Sequence, residues 1–129
     1  MIVLDTHALL WWTLDPEKLS KKAAKVCAEI EKEGAYVSSI SIWELGVKIR
    51  NGKLDIGMSI RDYTERLKRL GCVEIVPVDE GIWIRSLELD WEHRDPADRA
   101  IVATALTRGL PLLTKDDVIR KSRLVQYVW

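Results

Sequence analysis

The sequence predicts an α/β protein: a three-layer α/β/α fold with a central, mostly parallel sheet of four to five strands. Three observations carry this expectation. Short apolar runs alternate with stretches of helical spacing along the chain, an order that favours a parallel sheet covered by helices. The opening run, Ile2-Val3-Leu4, has little flanking chain to cover an edge, so it is expected inside the sheet, buried on both faces. That strand ends at Asp5, and in open α/β sheets ligand crevices form beyond the carboxyl ends of the strands.

Asp5 is suited to cap a helix starting at Thr6 or His7. Apolar residues at 19, 23, 26, 27 and 30 keep helical spacing from Leu19 to Ile30, with Ser20 as N-cap and Gly34 as the stop. Ala35 to Ser38 reads as a second strand. Ser41 and Glu44 then have the spacing of a capping box, opening a helix that ends near Asn51-Gly52. From Ser59 to Leu70 a further helix places Ile60, Tyr63, Leu67 and Leu70 on one stripe, with Gly71 at its exit. Val73 to Val78 is a third strand, and Pro77 argues for a sheet edge or the strand's last residues. Asp79 caps a helix carrying Trp83, Ile84, Leu87 and Trp91 on one face. Asp95-Pro96 marks the start of the next helix and Gly109 its stop, with Pro111 beyond. Leu112-Leu113-Thr114 is a fourth strand, a short helix runs to about Ser122, and Val125 to Val128 forms a fifth strand.

A chain of 129 residues suffices for one domain, 1–129, with a full core, and is too short for two ordinary ones. Twenty basic residues balance twenty acidic ones, so the chain lacks the broad positive field of a protein that grips long nucleic acid by its phosphates. Any nucleic-acid role therefore depends on a local patch or on metal ions. Cys27 and Cys72 have no zinc-site spacing with each other or with histidine and are expected to be reduced. No stretch approaches the ~20 apolar residues that span a bilayer, and an acid stands where a signal peptide carries basic residues, so the expected location is the cytoplasm. Six tryptophans and no phenylalanine are unusual; core packing and a subunit contact both fit them.

Four carboxylates stand out, each with a structural and a chemical reading. Asp5 either caps its helix or faces the crevice. Glu44, at the third position of the capping box, either bonds back to Ser41 or projects over the same sheet end. Asp98 shares a helix face with Ile101, Val102 and Ala105, where an ionised carboxylate costs several kcal/mol unless a cation compensates. That cation is Arg99, Arg94 or a metal. Asp116 and Asp117 follow the fourth strand, and only one of them is needed as a cap. Carboxylates gathered in one crevice repel one another unless divalent cations neutralise them. All-oxygen ligation favours Mg²⁺ or Mn²⁺ over zinc, and paired ions of this kind support phosphodiester hydrolysis.

Asp5-Thr6-His7-Ala8-Leu9-Leu10-Trp11, Ser39-Ile40-Ser41-Ile42-Trp43-Glu44-Leu45, His93-Arg94-Asp95-Pro96-Ala97-Asp98-Arg99 with Ile101-Val102-Ala103, and Leu112-Leu113-Thr114-Lys115-Asp116 follow one another across essentially the whole chain. In this order and spacing the sequence resembles the PIN-domain ribonucleases, particularly the VapC-type toxins of bacterial and archaeal toxin-antitoxin pairs. The resemblance implies a PIN-like fold and a metal-binding set of Asp5, Glu44, Asp98 and Asp116. Thr6 and Thr114 would help to hold water or substrate, while Asp95 and Asp117 are secondary acids. It also implies an RNA substrate, a homodimer and a cognate antitoxin. Among the cations Arg99 is the first choice for contacting substrate, ahead of Lys48, Arg50 and Arg94. His7 and His93 are left out of the catalytic set, with His7 expected in the core. Two other readings of the same acids are a non-catalytic PIN-like module that binds RNA or protein, and a metal-dependent hydrolase of another phosphodiester.

Overall fold

In the computed structural model, which describes residues 1–129, β1 (Val3–Leu4) is the middle strand of the sheet, and Ile2 through Thr6 are buried. β2 (Ala35–Ser38) lies on one side of it and β3 (Val73–Val76) beyond, at one edge; β4 (Leu112–Leu113) lies on the other side, with β5 (Tyr127–Val128) at the opposite edge. Every pairing is parallel. Val3 stands opposite both Tyr36 and Leu112, and Leu4 opposite Val37 and Leu113. From β1 the sheet grows one way to β2 and β3 and the other way to β4 and β5, so the gap between the ends of β1 and β4 is its topological switch point.

Strand alternation divides the core. Ile2, Leu4, Val37 and Leu113 face a layer made of α1 (Thr6–Leu14), α2 (Lys21–Ala28), α3 (Ile30–Glu33), α4 (Ser39–Arg50) and α5 (Ile60–Arg69), with Leu9, Ile30, Leu45 and Leu67 among its buried contacts. Val3 and Leu112 face Ile101, Val102 and Ala105 of α7 (Pro96–Arg108) and Ile119 of α8 (Asp117–Ser122). α6 (Glu80–Glu88) packs along α7. These layers explain why the central strands are apolar without alternation. α7 is buried continuously from Ala100 to Ala105, which its run of small and β-branched residues permits. Its ends match the sequence expectation: the Asp95 side chain accepts from the Ala97 N–H, Pro96 occupies the first turn, and Gly109 takes the left-handed conformation at φ 63°.

Three elements depart from expectation. α4 starts at Ser39 with the Ser38 hydroxyl as its cap, so Ser41 and Glu44 form no capping box. Ser41 lies buried inside the helix, and its hydroxyl bonds to Thr6 instead. The helix expected over 19–30 is split at Glu29 into α2 and α3. α6 turns Ile82 and Ser86 inward, leaving Trp83, Ile84 and Leu87 at 38%, 55% and 78% exposure, and Trp91 lies beyond the helix. Both cysteines are free, and no helix is long and apolar enough to cross a membrane.

Gly34 joins α3 to β2 at φ 80° and ψ 165°, a region open essentially to glycine, and a Cβ there would stand 2.8 Å from the Met1 sulfur. Gly34→Ala should therefore lower unfolding free energy by about 2 kcal/mol in urea titrations; an unchanged midpoint would show that the junction tolerates a side chain.

Candidate active site

Asp5 follows β1 and is only 5% exposed. One carboxylate oxygen accepts from the Ala8 N–H at 2.8 Å and caps α1, while the other accepts from the Thr114 hydroxyl. Asp5 therefore caps α1 with one oxygen and keeps the other at the switch point, on Thr114. Thr114 itself is fully buried just past β4, and its oxygen accepts from the Asp116 N–H at 3.0 Å. Asp116 caps α8 by accepting from the Ile119 N–H through one oxygen. The hydroxyl of one threonine therefore ties the ends of the two central strands across the switch point.

Glu44 reaches the site from α4. Thr6 donates its hydroxyl to Glu44 Oε1 at 2.5 Å, and because Thr6 has a single proton, the Ser41 hydroxyl at 2.8 Å must donate to Thr6. Ser41, Thr6 and Glu44 form a chain that fixes the carboxylate against the first turn of α1. From the opposite layer α7 presents Asp98, four-fifths buried, with its Oδ2 2.7 Å from Nε2 of His93. The ligand atoms of His93, Asp95 and Asp98 all lie within 4.8 Å of one another. Asp5, Glu44, Asp98 and Asp116 are brought to the same end of the sheet, but they do not form a group that tight.

Burial raises the Asp5 pKa from 3.8 to about 6; Asp116 and Glu44 push the same way, against the Thr114 and Ala8 hydrogen bonds. Asp98 also rises from 3.8 to about 6, chiefly through burial, with Asp95 and Asp116 adding to it and the His93 contact opposing. No lysine or arginine lies within ion-pair distance of Asp5, Glu44 or Asp116. Desolvated oxygen donors with no protein counter-cation match what a hard divalent ion requires, so the residues present fit Mg²⁺ or Mn²⁺.

Arg99 has a different role from the one expected. Its five N–H donors reach backbone carbonyls: Ser86 through Nε at 3.0 Å and Nη2 at 2.7 Å, Leu89 at 3.1 Å, Trp91 at 2.6 Å and His93 at 2.9 Å. None remains for a substrate phosphate. The guanidinium instead binds carbonyls at the end of α6, where the helix leaves its own unpaired, and pins the loop that carries His93 to Asp98. His7 is exposed rather than in the core, with its ring beside Trp11. Asp117 is exposed and paired with Arg120, away from the Asp116 carboxylate's task. Sequence reasoning missed Ser41 and His93 as partners of the acids; the signal for His93 was its place in the loop two residues before the Asp95 cap and five before Asp98.

The family model for the PIN domain matches residues 2–123. Ribonuclease VapC22 of Mycobacterium tuberculosis (strain ATCC 25618 / H37Rv) is 28% identical over 123 residues, covering 95% of this chain and 92% of that protein. Among solved structures, FitAcB from Neisseria gonorrhoeae superimposes with a TM-score of 0.66 at 25% identity, covering 98% of this chain and 96% of that one. A toxin-antitoxin complex from Klebsiella pneumoniae shares the fold with a TM-score of 0.59 at 21% identity, over 90% of this chain and 87% of that one.

The raised carboxylates fix the sign of a pH effect in metal-free protein. Because the folded pKa of Asp5 exceeds its ordinary value, the stabilising contribution is fully present below pH 3.8 and is lost as pH rises through about 6. In EDTA, Asp5→Asn should be more stable than the parent at pH 7.5 by up to about 3 kcal/mol and equal to it near pH 4, since asparagine still caps α1. A less stable variant at pH 7.5 in denaturant titrations would contradict this balance. Arg99→Lys, which leaves several of these carbonyls without donors, should lose about 2 kcal/mol by the same measurement; no loss would show that the loop holds without it.

Proposed function

The chain belongs to the PIN domain family, and from that premise we propose that it is a divalent-metal-dependent endoribonuclease, the toxin of a toxin-antitoxin pair. The observation that carries this reading is the Asp5 carboxylate at the switch point, held by Ala8 and Thr114, its pKa raised chiefly by burial and further by Asp116 and Glu44, without a cationic partner. A nuclease activity agrees with the name of the 28%-identical relative, a ribonuclease. An antitoxin partner has support from the fold neighbour that is a toxin-antitoxin complex. The proposal includes a homodimer of single-domain chains acting in the cytoplasm.

Asp5, Glu44, Asp98 and Asp116 are the proposed ligands of Mg²⁺ or Mn²⁺, which when bound supplies the positive charge and Lewis acidity that phosphodiester hydrolysis by water requires. The chain's own groups set the geometry. Thr6 aims Glu44 and is itself held by Ser41; Thr114 aims Asp5 and fixes the turn bearing Asp116. His93 shields one oxygen of Asp98 and is held there by Arg99 through its carbonyl. Thr6 and Thr114 thus act as supports of the carboxylates rather than as contacts for water or substrate. Asp95, besides capping α7, keeps a carboxylate oxygen within 4.8 Å of the ligand atoms of Asp98 and His93 and is the secondary ligand.

Asp5→Asn and Asp98→Asn should each abolish cleavage of single-stranded RNA while circular dichroism stays that of the parent, because charge is lost with little change in shape. Thr114→Val, which keeps shape but removes the hydroxyl from Asp5, should lose roughly 10–100-fold in activity at fixed Mn²⁺. Mn²⁺ should raise the parent's melting temperature, and EDTA should reverse the shift. Full RNA cleavage by Asp5→Asn, or cleavage by the parent in EDTA, would overturn the assignment.

A further inference from the structure

Trp11 packs into neither core cluster, although Trp12 beside it is packed against the α1 side of the sheet. It is half-buried on α1, one turn beyond the exposed His7, so the two rings share a helix face. Their centroids lie 5.5 Å apart, and on its other side Trp11 meets Trp129 at 5.6 Å. Nζ of Lys115 stands 5.6 Å from the Trp11 ring centre. At the inner end of this row His7 directly follows Thr6, whose hydroxyl holds Glu44, and Lys48 lies one turn beyond Glu44 on the same face of α4. An aromatic row therefore starts at the acid cluster and runs outward from α1 to Trp129, with Lys115 beside its second ring and Lys48 on the α4 face that carries Glu44.

On a chain with formal net charge of 0, these two lysines are a local patch rather than part of a broad field. Core packing does not account for Trp11, because it contacts neither cluster. Flat rings flanked by ammonium groups are what single-stranded nucleic acid meets in proteins that bind it: bases stack on the rings, and cations take the phosphates between them. Resting on the ribonuclease reading above, we propose that His7 and Trp11 form a stacking platform for bases of single-stranded RNA next to the scissile phosphodiester, with Lys48 and Lys115 contacting the flanking phosphates. The platform tolerates any base, since every base has a π-face, and it sets the path of the strand into the site.

The test uses the full chain with Mn²⁺ and two substrates, a single-stranded RNA oligonucleotide and bis(p-nitrophenyl) phosphate, a small diester without bases. Trp11→Leu should raise KM for RNA roughly tenfold, the loss of one stacked base, with kcat changed far less. His7→Leu, at an exposed position less prone to disturb folding, should move KM the same way, and Trp11→Phe should restore most of the parent value. Hydrolysis of the small diester should stay at the parent rate in all three. Parent-like KM for RNA in both leucine variants overturns the platform and leaves the ribonuclease reading standing; an equal fall on both substrates also overturns it, because the site itself has then been distorted. A parent that hydrolyses the small diester but neither binds nor cleaves RNA overturns the platform and the ribonuclease reading together.

Discussion

The site depends on one carboxylate placed where the sheet leaves a gap. Asp5 follows the central strand, which β2 and β4 hold on its two sides, and its own N–H donates to the Leu113 carbonyl at 3.1 Å. Burial then sets its chemistry: a carboxylate only 5% exposed can stay charged only if hydrogen bonds and a cation compensate it. Ala8 and Thr114 supply the hydrogen bonds, and no side chain supplies the cation. Glu44, from the helix after β2, and Asp116, just past β4, deepen that deficit. The fold thus assembles a site that repels itself, and a divalent ion is the simplest remedy that a set of oxygen donors admits.

Around this centre the uncharged hydroxyls and Arg99 do complementary jobs. Ser41, Thr6 and Thr114 are buried side chains whose hydrogen bonds orient carboxylates without adding charge. Arg99 has all five donors on carbonyls and holds the loop carrying His93 against Asp98. Its positive charge is adjacent in sequence to a proposed ligand, yet its geometry serves the backbone. Rigid supports of this kind are what a metal site needs, since ligands must converge before the ion arrives.

Much of this was legible from residue order. The apolar strands, the Asp95-Pro96 start and Gly109 stop of α7, and the edge position of β3 follow from local rules that tertiary contacts did not override. The four acids proposed as ligands stood out by position: Asp5 and Asp116 follow strand ends, Asp98 lies in the first turn of α7, and Glu44 lies on the helix that follows β2. What escaped was set by contacts between segments distant in the chain. Ser41 was read as a cap, but Ser38 takes that role and Ser41 bonds to Thr6, 35 residues away. Trp83, Ile84 and Leu87 were placed on one apolar face of α6, but α7 engages the Ile82 and Ser86 side instead. For Arg99 charge alone pointed to substrate, and only the positions of four carbonyls across a loop reveal its engagement. His7, expected inside, is exposed, with its ring against Trp11 one turn on.

The central claim is that the buried acids are ligands of a divalent cation, and proton release on binding tests it most directly. Calorimetric titration of Mn²⁺ at pH 6, repeated in buffers of different ionisation enthalpy, counts the protons displaced. With Asp5 and Asp98 both near a pKa of 6, binding should release close to one proton per protein at that pH and almost none at pH 8. Absence of Mn²⁺ binding, or binding that persists unchanged with no proton release in the Asp5→Asn, Asp98→Asn double variant, would contradict the account.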